Sequence, residues 1–198
     1  MAVLFRSGDD RDIFVAKWEL EFVDVFEFKN FYKQLHDWLG EEGWSDPEGG
    51  ENWEYLYYEK VIPPEGVKEH RIWWRIHMKP NNSNYVRYVA KIEYRGLYMK
   101  PIEIVMNDKK YKTWKGDITI YFESWLQLDY KNEWNKHWLL KHFDKFFRER
   151  IYKRYWEAHK VELYRKSYQL NREIKKFFKM KSPVKEPRTF RGDKGLPS

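Results

Sequence analysis

Residues 132–180 contain neither proline nor glycine, and this feature most restricts what the chain can fold into. The stretch is rich in strong helix formers and lacks the two residue types that most often end a helix. We therefore expect either two helices or one long helix with a bend. Proline returns at position 183, and residues 182–198 are predicted to form a flexible tail of net positive charge.

The first 130 residues have a different character, because short strand-like runs alternate there with turn signals. Charged and apolar residues alternate strictly over residues 17–22, which is typical of an antiparallel strand with one buried face. Residues 27–40 instead carry apolar side chains at helical spacing. Later strand-like runs end at proline, glycine or asparagine, and they cover residues 53–62, 67–78, 85–94, 102–106 with 109–114, and 117–128.

Together these patterns predict an α+β fold. An antiparallel meander of about six strands, covered by one N-terminal helix, would occupy residues 1–130. Residues 131–181 would form a long basic helical segment, packed on this sheet or on a partner.

Composition narrows the class of protein. Aromatic residues make up 20% of the chain, so many of them must be buried in a core. Cysteine is absent, which excludes disulfides and thiolate metal sites and favours a reducing compartment. Charged residues begin at Arg6, so the first residues lack the apolar region of a signal peptide. We therefore expect a cytoplasmic protein. The charged fraction of 35% is typical of thermophile proteins.

No catalytic motif is recognisable. No serine is flanked by glycine on both sides, and no glycine-rich phosphate loop precedes a helix. No two histidines have the i, i+4 spacing of a helical zinc site; they are His36, His70, His77, His137, His142 and His159. We therefore expect a non-catalytic binding protein without a cofactor or metal, although an active site assembled from distant residues would escape this test.

Charge is distributed unevenly along the chain. Residues 1–59 hold 5 Lys/Arg and 15 Asp/Glu, a net of −10, whereas residues 131–198 hold 20 and 8, a net of +12. A basic region is the electrostatic footprint of a phosphate-rich partner such as RNA. The alternative is that the acidic and basic segments neutralise each other, within one molecule or between subunits.

The basic residues of the helical region fall into stripes. Lys141, Lys145 and Arg148 share one helical face, and Arg172, Lys175, Lys176 and Lys179 share another. Such stripes can neutralise phosphates without reading bases, although a solvated helix face is an equally good interpretation. The candidate nucleic-acid-binding residues of this region are Lys141, Lys145, Arg148, Lys153, Arg154, Arg172, Lys175, Lys176 and Lys179.

A second candidate patch lies on the predicted strand of residues 67–78. Arg71, Trp73 and Arg75 alternate with apolar residues and therefore share one face of that strand. Cations beside an aromatic ring suit base stacking or phosphate contact. Cation–π pairing across neighbouring strands explains the pattern equally well.

Apolar residues recur every seven positions at Trp156, Leu163, Leu170 and Phe177. This spacing indicates packing against another helix, and a homodimer seam is one candidate. The lysine-flanked pair Phe177 and Phe178 also leaves open a membrane-surface role.

Residues 25–44 and 141–154 resemble a family of small, basic archaeal proteins. The first segment contains Phe28, Phe31, Trp38 and Trp44, and the second runs from Lys141 to Arg154. Proteins of this sort include ribosome-associated and ribosome-dimerising (hibernation) factors. The resemblance implies a ribosomal particle or RNA as partner and a homodimer as the assembly. The alternative is a structural or assembly protein that uses helix pairing and complementary charge.

Overall fold

The computed structural model describes residues 10–46, 52–80, 83–106, 109–138 and 140–180. It is an α+β fold with one five-stranded antiparallel sheet, and its longest helix lies near the C-terminal end. The predicted tail, residues 182–198, lies outside the described residues. In chain order the elements are β1 (Asp12–Phe26), α1 (Phe28–Glu41), β2 (Glu54–Ile62), β3 (Val67–Met78), β4 (Val86–Met106), β5 (Lys109–Leu128), α2 (Glu133–Lys136), α3 (Leu140–Phe146), a π-helical turn (Phe147–Ile151) and α4 (Lys153–Phe177).

The strand order is β1-β5-β4-β3-β2, and neighbouring strands are antiparallel. Strands β2 to β5 form the predicted meander, because each pairs with its neighbour in sequence. Strand β1 pairs with β5 instead, so the first strand of the chain forms the edge of the sheet opposite β2.

The prediction of about six strands was wrong because two glycines were interpreted as strand ends. Gly96 lies inside β4 and Gly116 lies inside β5, so each strand continues through its glycine. The pairing register shifts between Leu97 and Lys100, which marks a β-bulge. A Cβ on Gly116 would lie only 2.8 Å from the Met99 Cα, so glycine permits close main-chain approach here rather than a turn.

Both long helices pack on the same face of the sheet. From α1, Phe31 meets Tyr94 of β4 and Tyr32 meets Trp74 of β3, with ring centroids 6.0 and 4.9 Å apart. From α4, the main-chain oxygen of Ser167 accepts a 3.1 Å hydrogen bond from the indole of Trp18 on β1.

The two helices also contact each other. The ring of Phe177 lies 5.2 Å from that of Phe31, and Lys166 of α4 lies 3.1 Å from the carboxylate of Glu42, just beyond α1. The basic helical segment is therefore built onto the sheet of its own chain. Within the described ranges, no helix is long and apolar enough to cross a membrane.

Candidate nucleic-acid interface

The inner side of α4 is determined by the apolar heptad. Leu163 and Leu170 are 0% and 2% exposed, and both belong to the core of this chain. Trp156 is partly buried and donates its indole N–H to the Arg148 main-chain oxygen, and Phe177 packs partly buried on Phe31. The chain's own sheet covers Leu163 and Leu170, and the heptad packs on a helix of the same chain at Phe177. A homodimer seam along this heptad stays a prediction.

The outer side of α4 carries three exposed arginines in one line. Arg154 and Arg165 are eleven residues apart, and Arg165 and Arg172 are seven apart. At 3.6 residues per turn these separations are close to three and two full turns, so the three side chains leave the helix in nearly the same direction. No acidic partner lies within 4 Å of them among the described residues.

Two tyrosines lie in the same region of the helix. Tyr164 and Tyr168 are 49% and 38% exposed, and their ring centroids are 4.6 Å apart. A hydrogen bond with Tyr164 is the largest cause that raises the pKa of Tyr168. We call the three arginines and these two tyrosines the α4 outer face.

The charge of α4 is positive, and part of it is neutralised locally. Residues 153–177 contain eight Lys/Arg and three Glu, a net of +5. Lys153 lies 3.8 Å from Glu157, and Lys176 lies 2.6 Å from Glu173. Among the exposed Lys and Arg of α4 in the described part of the chain, the three arginines are therefore those without a carboxylate within 4 Å, and such charges can contact phosphates.

Arg148, one of the predicted nucleic-acid-binding residues before α4, has partners within its own chain. Arg148, on the π-helical turn, lies 3.0 Å from Asp144 and donates to the main-chain oxygen of Asp10. It stabilises the segment between α3 and α4, so it is not a free phosphate contact. Lys145 is exposed, and the side chain of Lys141 lies outside the described part of the structure.

The remaining predicted residues lie near the end of α4. Arg172 belongs to the α4 outer face, Lys175 is half-buried, and Lys179 is exposed just after the helix. Phe178 is 7% exposed and packs on Phe22 and Phe26. The Phe177–Phe178 pair therefore does not present the apolar surface that the membrane-surface hypothesis requires.

The strand patch lies on the sheet face opposite the two long helices. Arg71 and Arg75 are exposed and Trp73 is half-buried, whereas Ile72, Trp74 and Ile76 of the same strand are in the core, as the alternation predicts. A hollow of about 350 Å³ opens on this face, and its lining includes Trp73, Arg75, Lys91, Tyr121 and Glu123.

The cations of this hollow are largely engaged within the sheet. The Arg75 guanidinium lies 3.8 Å from the centre of the Tyr55 ring, and the Lys91 ammonium lies 4.7 Å from that of Trp125. Burial and the nearby Arg75 lower the pKa of Lys91. This geometry favours the cation–π interpretation of the patch, and it leaves the α4 outer face as the stronger candidate.

Sequence reasoning missed the two tyrosines that complete the α4 outer face. Their i, i+4 spacing beside Arg165 was a usable signal, because residues four apart on a helix are neighbours. Tyr121 of the hollow could not be found in this way, because it reaches Trp73 only through the pairing of three strands.

Comparisons of the chain with family models, characterised proteins and solved structures found no match. The archaeal and ribosomal resemblance therefore stays a prediction. Within the described ranges, no three histidine, aspartate or glutamate side chains come together as a group that could hold a metal ion.

Proposed function

We propose that this protein binds RNA without catalysing a reaction, and that the α4 outer face is its contact surface. One observation carries the proposal. The apolar side of α4 is used by the chain's own sheet, while Arg154, Arg165 and Arg172 line the opposite side with two exposed tyrosines between them.

The chemistry of this face suits a single-stranded or looped RNA. At 1.5 Å per residue the three arginines extend over about 27 Å of helix, enough for several phosphates. Arginine forms bidentate contacts with phosphate oxygens, and exposed aromatic rings stack on unpaired bases. No base specificity follows, because phosphate contacts position a nucleic acid without reading its sequence.

Neutralisation of the two charged segments within one molecule has little support. Among the described residues, a single ion pair joins the acidic segment of residues 1–59 to the basic segment of residues 131–198, namely Glu42 with Lys166. Glu19, Glu21 and Asp24 of β1 are exposed instead. Acidic and basic surfaces thus coexist on the molecule, which fits a partner containing both RNA and basic protein.

A ribosomal particle is the partner of this kind that we propose. It offers phosphates to the α4 outer face and basic protein surfaces to the exposed carboxylates of β1. The archaeal resemblance supports the same partner.

The direct test is binding of a fluorescently labelled single-stranded RNA, measured by anisotropy between about 50 and 200 mM salt. Three arginine–phosphate contacts with a single strand should lower the affinity roughly 10- to 20-fold over this range, and further contacts should lower it more. Co-sedimentation with purified ribosomal particles under the same conditions tests the proposed partner. Absence of binding to either at 50 mM salt would refute the function.

Self-association is a second candidate, favoured by a different surface. Trp138 is 76% exposed, and Phe143, Phe146 and Ile151 nearby in sequence are also more than half exposed. Phe143 and Phe146 are three residues apart on α3 and therefore share one side of that helix, and an exposed apolar surface of this kind can mark an interaction site. A second copy of the chain is the occupant expected from the predicted homodimer. Light scattering of the native chain and of Phe143→Ser/Phe146→Ser should show a dimer that the double variant loses, and a monomeric native chain would exclude this candidate.

A further inference from the structure

A hollow of about 560 Å³ lies between α1 and the β2–β3 edge of the sheet, and it shares no residue with the α4 outer face. Its size is in the range of small-molecule sites. Aromatic rings form much of its wall, with Phe28 stacked on His70 at 5.0 Å and with Tyr57 and Trp114 beside them. Phe28 and His70 are buried against each other, so the exposed ring of Tyr57 is the face on which a flat ligand can stack.

The polar groups of this cleft present hydrogen-bond acceptors. The hydroxyl of Tyr32 donates to Glu54 at 2.5 Å, and the hydroxyl of Tyr57 donates to Glu59 at 3.1 Å. Burial and then the hydrogen bond with Glu59 raise the pKa of Tyr57 to about 12. The Tyr57 phenol therefore stays protonated and donates its hydrogen bond to Glu59. The carboxylates keep unused lone pairs, and a ligand must therefore bring N–H or O–H donors.

Glu54 differs from Glu59 in its partners. Lys68 neutralises Glu59 at 2.5 Å, whereas no cation lies within 4 Å of Glu54 among the described residues. Glu54 is exposed and is held by Tyr32, so its carboxylate is open to accept from two adjacent N–H groups of a ligand.

Two lysines line the cleft, and they differ in their partners. Lys29 of α1 lines the cleft, and the Lys68 ammonium lies 5.1 Å from the centre of the Trp114 ring. Because Glu59 neutralises Lys68, Lys29 is the cation of this lining that has no carboxylate within 4 Å among the described residues. An anionic group of the ligand can pair with Lys29 while its N–H donors meet Glu54. The ligand is thus planar, donates hydrogen bonds and carries an anion.

We propose that this cleft binds a guanine nucleotide. The N1–H and the 2-amino group of guanine would donate to the two oxygens of Glu54, the ring would stack on the exposed Tyr57, and the phosphate would meet Lys29. Among the four RNA bases only guanine presents two adjacent donors to a carboxylate, so the site should discriminate against the others.

Isothermal titration calorimetry of the full chain with GMP, AMP, CMP and UMP tests the proposal. We expect GMP to bind at least 10-fold more tightly than the other three. Glu54→Gln keeps an acceptor for Tyr32 but loses one acceptor for guanine, and it should weaken GMP binding roughly 10-fold or more. Glu65→Gln is the matched control, since Glu65 pairs with Lys100 away from the cleft and its loss should leave GMP binding unchanged.

Lys29→Ala gives an independent readout on an exposed side chain that the fold does not require. It should weaken GMP binding and leave binding of guanosine unchanged. The proposal is overturned by any of three results: no heat of binding with millimolar GMP, equal affinity for all four nucleotides, or GMP binding that neither variant alters. Tighter binding of arginine amide than of GMP would also overturn it, because the ligand would then be a cation.

Discussion

The hydroxyl of Ser167 on α4 lies 3.1 Å from the hydroxyl of Ser124 on β5, and both serines are fully buried. The Ser167 hydroxyl also donates to the main-chain oxygen of Leu163 at 2.7 Å. This polar contact lies within the apolar interface between helix and sheet, on the same inward side of α4 as the buried Leu163 and Leu170. The outward direction of Arg165 and Arg172 follows from it.

Replacing the buried leucines of α4 by alanine should therefore lower the stability of the fold and leave the oligomeric state unchanged. Leu163→Ala and Leu170→Ala should each lower the free energy of unfolding by about 2–5 kcal/mol, because each leaves a cavity in the core. Urea denaturation at two protein concentrations measures this loss. Val161→Ala, on the exposed side, is the control and should change stability by less than about 0.5 kcal/mol. A concentration-dependent midpoint in the native chain that either leucine variant abolishes would show instead that these leucines form an intermolecular seam.

The two strand glycines should respond differently to substitution by alanine. A Cβ on Gly116 would lie 2.8 Å from the Met99 Cα and 3.0 Å from the Leu97 carbonyl oxygen, which are main-chain atoms. A Cβ on Gly96 would meet the Met99 sulfur at 2.7 Å, and that flexible side chain can move. Gly116→Ala should cost about 1–3 kcal/mol and more than Gly96→Ala, as measured by thermal or urea unfolding. Equal losses, or a larger loss at Gly96, would contradict this account of the bulge.

Stability should fall as the pH drops below about 6.5, and His77 is one cause. Burial, together with the nearby Arg87, lowers the pKa of His77 to about 3. The unfolded chain binds a proton at about pH 6.5, whereas the folded chain does so only near pH 3, so falling pH between these values favours unfolding. The contribution is fully present above pH 6.5 and amounts to about 2 kcal/mol lost by pH 5.

Urea denaturation at pH 7.5, 6 and 5 tests this linkage. His77→Gln should reduce the pH dependence of the unfolding free energy, and His142→Gln, which removes an exposed histidine, should leave it unchanged. Burial also lowers the pKa values of His70 and His159, so part of the dependence should remain in the His77 variant. An unchanged slope in that variant would contradict the assignment.

Local periodicity predicted the faces of individual elements. The alternation in β3 placed Arg71 and Trp73 opposite Ile72 and Trp74, and the helical spacing of residues 27–40 agrees with α1. These patterns hold because side-chain direction depends only on local backbone geometry.

Longer-range relationships were not accessible from the sequence. The heptad from Trp156 to Phe177 predicted an apolar helix side correctly, but it could not show that the sheet and α1 of the same chain cover that side. The cleft at Glu54 combines residues from α1, β2, β3 and β5, and no local spacing reveals such a set. Gly96 and Gly116 were interpreted as strand ends because glycine is favoured both in turns and where two main chains approach closely.

The central claim is that the α4 outer face binds RNA, and one comparison tests it most directly. The triple variant Arg154→Ala/Arg165→Ala/Arg172→Ala is compared with Lys60→Ala/Lys110→Ala/Lys112→Ala, which removes the same charge from exposed lysines of β2 and β5. Anisotropy of labelled single-stranded RNA is measured against salt concentration for both variants and the native chain. We predict that the arginine variant loses at least about 100-fold in affinity at 50 mM salt and about two from the slope of log affinity against log salt, while the lysine variant keeps the native slope. Equal losses in the two variants, or a native slope in the arginine variant, would contradict the account.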